Sequence, residues 1–302
     1  MLHPGSLTDV AGLAVGHHTR RDRATGCTVV LCPQGVVAGV DQRGAAPGTR
    51  ETDLLKSEKA VDRVHALLLT GGSAFGLDAA SGVMRWLDER GHGLPVGPAR
   101  VPIVPAAVLF DLWQGDARIR PTADDGYTAC QAASARPPAQ GRVGAGAGAT
   151  VSKLLGPAQA RPGGIGSASL RLGAVTVAAL VAVNAVGDVV DADGRVLAGH
   201  GLTARLLGGQ PPERLMAGMA TTIGVVATDA QLSKTQANQL ASLAHHGLSR
   251  AIDPVTPHDG DTLFALATGT SGRPGDPTAL GVLAAEVVAR AIRNAVRAAA
   301  AT

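Results

Sequence analysis

Residues 216–230 read MAGMATTIGVVATDA. The run Ile223-Gly224-Val225-Val226-Ala227 has the small and β-branched composition of a buried strand, and two threonines, Thr221 and Thr222, stand directly before it. Two readings compete. In one, the threonines open an ordinary strand. In the other, Thr221 is a concealed N-terminus, a hydroxyl that becomes a nucleophile once the chain is cut in front of it. The strand is common to both.

Outward from this strand, residues 163–191 (GGIGSASLRLGAVTVAALVAVNAVGDVVD) read as two strands joined by a tight turn near Leu172-Gly173. Ala198–Ala220 reads as a connection, part helix and part exposed loop. Thr228-Asp229 is expected to cap a helix running to about His246. Asp261–Thr268 reads as a strand, and Thr278–Ala300 as a long amphipathic helix. Nearer the start, Cys27–Cys32 and Val36–Val40 read as short strands separated by a turn at Pro33-Gln34-Gly35, followed by a long polar loop. Ala66–Thr70 is a further strand, Ala74–Arg90 carries a helical stripe, and Val101–Val104 is a short strand between prolines. Strands in two runs with helices before and after them suggest sheets covered by helices in a single layered domain, residues 1–302.

Composition narrows the function. The 302 residues are 45% hydrophobic but only 2% aromatic, with 40 glycines and a net charge of +3. Scattered basic residues and so few aromatic stacking platforms argue against nucleic acid as a partner. The opening MLHPGSLTDVAGLAV lacks a charged start and apolar stretch, so no secretory signal is expected. The apolar run Ala174–Val186 contains Asn184 and is too short to span a bilayer. Three cysteines (Cys27, Cys32 and Cys130) without diagnostic spacing suit a reducing, cytoplasmic setting better than disulfides or zinc.

Individual motifs are weak. VGAGAGA satisfies the dinucleotide pattern through Gly144, Gly146 and Ala149. It follows no strand and has no acidic residue placed for a ribose, so close backbone packing is expected there and no cofactor. TGGSAFG has Phe75 where a nucleophile elbow needs glycine, so Ser73 is expected to cap a helix. The adjacent pairs His17-His18 and His245-His246 lack the spacing of a helical zinc site, and no metal is expected. Asp259 and Asp261 flank a glycine before a strand, a common arrangement for a solvated turn.

Taken in order, a set of longer blocks is more specific. SLTDVAGLAVGHHT, GCTVVLCPQGVVAGVDQRGAAPGTRETDLL, LLLTGGSAFGLDAASGVMRWLDERG, VPIVPAAVLFDL, GRVGAGAGATVSKLLG, GGIGSAS, ALVAVNAVGDVVD, TTIGVVATDAQLSKTQ and HDGDTLFALATG run from near residue 6 to near residue 269. With them the chain resembles the self-processing N-terminal-nucleophile family of DmpA-type aminopeptidases, β-peptidyl aminopeptidases and nylon-oligomer hydrolases. The resemblance implies an α+β fold, a four-layer αββα sandwich. It implies autocleavage between Ala220 and Thr221 into chains 1–220 and 221–302 that stay associated, no cofactor, a homotetramer, and a small amide or peptide as substrate. It places the nucleophile on Thr221 and the oxyanion-holding asparagine on Asn184. Lys153 matches a lysine near the nucleophile, and Asp259 and Asp261 match the paired aspartates of the nylon-hydrolase branch. Ala220 stands where many members have Asn, and Phe110, in the substrate pocket, where several have tyrosine.

The chemistry suits those residues. A threonine hydroxyl needs a base, and cleavage turns the amide nitrogen of Thr221 into an α-amine with a reference pKa of about 8. A neighbouring lysine lowers that value by like-charge repulsion. Two alternatives keep the fold: an acyltransferase whose acceptor is a second amine, and an uncut relative that acts as a binding or scaffold protein.

Overall fold

The computed structural model describes residues 1–211 and 218–301. Met216 and Ala217 of the opening stretch, and 212–217 of the connection as a whole, lie outside the described residues. Nine strands form one continuous sheet among the described residues. They are β1 (Ala14–Thr19), β2 (Gly26–Gln42), β3 (Gly48–Arg50), β4 (Arg63–Thr70), β5 (Ala106–Val108), β6 (Gly164–Leu172), β7 (Val175–Val183), β8 (Ile223–Thr228) and β9 (Thr262–Ala267). Four helices cover it: α1 (Ala79–Asp88), α2 (Ala123–Gln131), α3 (Lys234–Ala244) and α4 (Pro277–Ala299). The strand order is β6-β7-β8-β9-β2-β4-β5-β3, with β1 also on β2.

β2 folds this sheet into two layers. Its first half pairs with β1, its second half with β9, and β4 runs beside both. The register with β4 shifts between Leu31 and Val36. The expected turn at Pro33-Gln34-Gly35 is therefore a bulge inside one strand and not a chain reversal. Proline, which lacks an N–H, is tolerated at a bulge, and Gly35 takes the positive φ of 79°.

Period-two alternation fills the layers. Leu67 and Leu69 of β4 meet Leu180 of β7, Val225 of β8 and Phe264 of β9 in a core between the two halves. The intervening Ala66 and Leu68 face α1 and α2 with Cys27, Val29 and Leu31. Val177, Ala179, Val181 and Val183 of β7 face α3 and α4. The result is the αββα order: helices, sheet half, sheet half, helices. Small side chains bring the layers close. A Cβ on Gly166 of β6 would lie 2.1 Å from the Ala291 carbonyl oxygen of α4.

Several local expectations change. The polar stretch after β2 contains β3 and a three-ten turn at Thr52–Leu55. The Ala74–Arg90 stripe is split into a three-ten segment, Ser73–Asp78, and α1. Ser73 has φ of 54° and makes no capping bond; Gly72 precedes the turn. Strand pairing falls on either side of Val101–Val104: Ala99–Val101 joins a hairpin with Leu94–Val96, and β5 joins the main sheet. Ser233, not Thr228-Asp229, caps α3, because its hydroxyl accepts the Gln236 N–H. Asp229 instead accepts the Thr176 N–H at 2.8 Å, tying β8 to the start of β7. The Gly144–Gly146 segment is a packed three-ten turn, with room for only 2.3 Å between a Cβ on Gly146 and the Ile165 nitrogen. No helix among the described residues is long and apolar enough to cross a membrane.

The β6–α4 contact gives a direct test of the layering. Gly166→Ala must push α4 outward, and overpacking of this kind costs roughly 1–3 kcal/mol. Denaturant unfolding should show that loss; an unchanged midpoint would contradict the packing.

Candidate active site

Strand order places the site. β8 pairs antiparallel with β7, matching Ile223 to Ala182, and parallel with β9, matching Ile223 to Thr262. The residues just before the two parallel strands, Thr221-Thr222 and Asp261, therefore lie side by side. Asn184, just beyond the end of β7, lies at the same edge. The parallel ladder continues one step further, pairing Ala220 with Asp259.

All of these residues are closed off from solvent. Thr221 is 3% exposed, Lys153 1% and Asn184 0%, and Ala220, Asp259 and Asp261 are likewise buried. Buried polar groups need partners, and here most find one another, while the Thr222 hydroxyl is left without one. The Asn184 carbonyl oxygen accepts the Thr221 N–H at 3.0 Å and the Lys153 amine at 2.7 Å. Asn184 Oδ1 accepts Lys153 Nζ again at 2.9 Å and the Thr150 N–H at 3.0 Å. Asn184 Nδ2 donates to the Phe110 carbonyl at 3.0 Å. The Thr221 hydroxyl donates to the Ala220 carbonyl oxygen at 2.5 Å, and the Gly260 N–H donates to that same oxygen at 3.1 Å.

The two aspartates hold backbone, not solvent, which overturns the solvated-turn expectation. Asp261 Oδ1 accepts the Thr222 N–H at 2.7 Å. Asp259 accepts the Val186 N–H at 3.1 Å and the Thr256 hydroxyl at 2.7 Å. Burial pushes both carboxyls up, Asp261 well above the usual range because the Asp259 charge adds to the desolvation. Asp259, with two donors, is the better host for the negative charge.

Burial lowers the Lys153 amine to about 7, against the pull of Asp259 and Asp261. Geometry agrees with a neutral amine. Nζ makes two donated bonds, both to Asn184, and a neutral amine has two N–H groups and one lone pair. The lone pair is left to accept a proton.

The Phe110 carbonyl is itself anchored. The next residue, Asp111, pairs with Arg23 at 2.8 Å, with both side chains 1% exposed. It also accepts the Thr25 hydroxyl at 2.6 Å and the Gly72 N–H at 3.0 Å, and Arg23 donates to its carbonyl oxygen. The Phe110 ring is half-buried and stands edge-on to Trp113, 5.0 Å between centroids. Burial raises all three thiols, that of Cys130 to about 12, so none offers a ready thiolate.

The structure thus brings Thr221, Ala220, Asn184, Lys153, Asp259 and Asp261 together, with Phe110 joining through its carbonyl. Gly260 and Thr256 were not singled out from sequence. Gly260 was visible only as the glycine between the two aspartates, with no role attached; Thr256 carries no signal. Nor did anything mark the Arg23–Asp111 pair, whose members are 88 positions apart.

This layered fold encloses a buried set of hydroxyl, amine, amide and carboxyl groups, and the family it belongs to is one of hydrolases. The chain belongs to peptidase family S58, whose model matches residues 5–302. It is 46% identical to an uncharacterized aminopeptidase of Mycobacterium tuberculosis, covering 95% of this chain and 92% of that protein. It is 32% identical to the 6-aminohexanoate-oligomer endohydrolase of Paenarthrobacter ureafaciens, over 95% and 84% of the two chains. Among solved structures it resembles a Burkholderia sp. beta-aminopeptidase at 25% identity and a TM-score of 0.71, over 99% of this chain and 88% of that one. The L-aminopeptidase D-Ala-esterase/amidase of Ochrobactrum anthropi, described as a variant of the Ntn hydrolase fold, shares the fold at 21% identity and a TM-score of 0.74, over 99% and 88%.

The buried amine has a thermodynamic signature. Lys153 is neutral in the folded chain above about 7, whereas the unfolded lysine stays protonated up to 10.5. The unfolded state therefore holds one more proton in that window, and stability rises with pH. In a Thr221→Ala chain, unfolding free energy should climb by roughly 4 kcal/mol from neutral to alkaline pH relative to the same chain carrying Lys153→Met. Parallel curves for the two would contradict a depressed Lys153.

Proposed function

We propose that this chain is a self-processing amide hydrolase with Thr221 as its N-terminal nucleophile, of the aminopeptidase or 6-aminohexanoate-oligomer hydrolase type. The whole αββα unit, 1–302, would be cut between Ala220 and Thr221 into chains 1–220 and 221–302. One observation carries this reading: the Thr221 hydroxyl lies against the carbonyl of the residue before it, Gly260 N–H grips that carbonyl oxygen, and the Lys153 amine shares the Asn184 carbonyl oxygen with the Thr221 N–H.

The steps follow from these contacts. Lys153 accepts the Thr221 hydroxyl proton as the oxygen attacks the Ala220 carbonyl carbon. The resulting oxyanion is held by Gly260 N–H, a contribution of about 3 kcal/mol for such a donor. Collapse returns the proton to the Thr221 nitrogen and breaks the C–N bond, leaving Ala220 as an ester on Thr221. Water then hydrolyses the ester, giving an Ala220 carboxylate and a free Thr221 amine and hydroxyl. In turnover the same hydroxyl takes the acyl group of a substrate amide, the substrate amine leaves, and water releases the acid.

Asn184 has its Nδ2 committed to Phe110 in the uncut chain. We assign to it the holding of Lys153 and of the Thr221 nitrogen, in place of the oxyanion contact expected from the resemblance. Asp261 fixes Thr222 and Asp259 fixes the Val186 backbone; together they orient the new α-amine of Thr221. The site is sealed before the cut, so departure of the segment ending at Ala220 is what admits a small amide or peptide substrate. Aminopeptidase and 6-aminohexanoate-oligomer hydrolase relatives at 46% and 32% identity support this substrate class. Three buried, unpaired cysteines suit a reducing cytoplasm, and assembly as a homotetramer is part of the same proposal.

Intact mass under denaturing conditions tests the reading. The wild type should appear as two fragments meeting at Ala220–Thr221, and Thr221→Ala as one full-length chain with no amidase activity. A whole wild-type chain after long incubation would favour the binding-protein alternative.

A further inference from the structure

The connection leading to Ala220 is tied back to the Lys153 loop through one carboxylate that the mechanism does not use. Asp188 is 1% exposed. Its Oδ1 accepts the Ser152 hydroxyl at 2.5 Å, and its Oδ2 accepts the His200 N–H at 3.2 Å and the Leu202 N–H at 2.8 Å.

Each side of this clamp reaches the reacting groups. Ser152 precedes Lys153 and has φ of 62°, a backbone conformation that L-residues avoid. Its N–H donates to the Gly187 carbonyl, and that of Lys153 to the Val186 carbonyl, both at 2.8 Å. This bend sends the lysine inward while the serine hydroxyl reaches Asp188. On the other side, Leu202 opens the short helix Leu202–Leu207 in the connection. Its side chain joins Leu154, Val186 and Ala220 in a small apolar cluster. The connection passes so near the carboxylate that a Cβ on Gly199 would lie 2.1 Å from Asp188 Oδ1.

We propose that Asp188 is a positioning residue for self-cleavage, locking the Lys153 loop and the segment before the cut into one frame. This rests on the assignment of Thr221 and Lys153 made above. The two carboxylate oxygens divide the role: Oδ1 places the base, and Oδ2 places the arm that carries the bond to be cut. Once the chain is cut the arm holds no reacting bond, so turnover needs only the Oδ1 half.

Four variants separate the halves. Leu202→Ala loosens the arm, taking its side chain out of the cluster with Ala220 while leaving Asp188 Oδ1 and Ser152 untouched. Ser152→Gly removes the hydroxyl from the lysine side while keeping a backbone that glycine adopts freely. Asp188→Ala removes both contacts. Asp188→Asn can keep both, because its Oδ1 can accept the two N–H groups and its Nδ2 can donate to Ser152 Oγ.

Cutting is followed by intact mass, and turnover per cut chain with a chromogenic alanine anilide. Leu202→Ala should slow cutting about tenfold or more, since small misplacements are costly in rate, and leave turnover per cut chain within about twofold. Ser152→Gly should lower both. Asp188→Asn should cut within about threefold of wild type, and Asp188→Ala at least tenfold more slowly than Asp188→Asn. If Asp188→Ala does not fold, Leu202→Ala and Ser152→Gly decide the matter. Wild-type cutting in Leu202→Ala, equal loss of cutting and turnover there, or no rescue by Asp188→Asn would each overturn the proposal. A wild-type chain that stays whole fails the underlying assignment instead, and the proposal with it.

Discussion

The carbonyl oxygen of Asn184 accepts two donors, the Lys153 amine and the Thr221 backbone nitrogen. Most of what is unusual about this chain depends on that shared oxygen. It is the reason a lysine can be fully enclosed, since its two N–H groups are satisfied by one residue. It also sets the amine beside the nitrogen that peptide-bond cleavage would release. Without it, the buried lysine would keep only its bond to Asn184 Oδ1 against the desolvation cost.

The fold exists around this point in a physical sense. β7, β8 and β9 bring Asn184, Thr221-Thr222 and Asp261 to one edge through a mixed register, antiparallel on one side of β8 and parallel on the other. The doubled sheet shields that edge, and burial then does the electrostatic work. It lowers Lys153, raises Asp259 and Asp261, and so keeps the net charge of the enclosed cluster small. Because the segment ending at Ala220 completes the ladder, the site is closed while the chain is whole.

Much of this was legible in the residues. Apolar runs rich in small and β-branched residues marked β6, β7, β8 and β9, and the turn at Gly173 joined the first two as expected. The bulge in β2 was not legible, because Pro-Gln-Gly signals a chain reversal and a bulge with the same residues; only the partner strands distinguish them. The start of α3 was displaced because Asp229, a good cap by type, is drawn to the Thr176 N–H of a neighbouring strand. The site residues could be singled out through their resemblance to a family, but local chemistry alone read Asp259 and Asp261 as a solvated turn. Their burial depends on contacts with Val186, Thr222 and Thr256, and no local pattern encodes those. The same holds for Gly260, whose N–H contributes through backbone geometry and leaves no side-chain signature.

The central claim is that Lys153 is a neutral base poised at the scissile bond, and the pH dependence of self-cleavage tests it most directly. In freshly synthesised chain, the first-order rate of fragment appearance should rise with pH to a plateau, with its midpoint near the value of about 7 set by burial of Lys153. Lys153→Met should abolish that rise. A rate independent of pH, or a midpoint above about 9 as for an ordinary solvated lysine, would contradict the account.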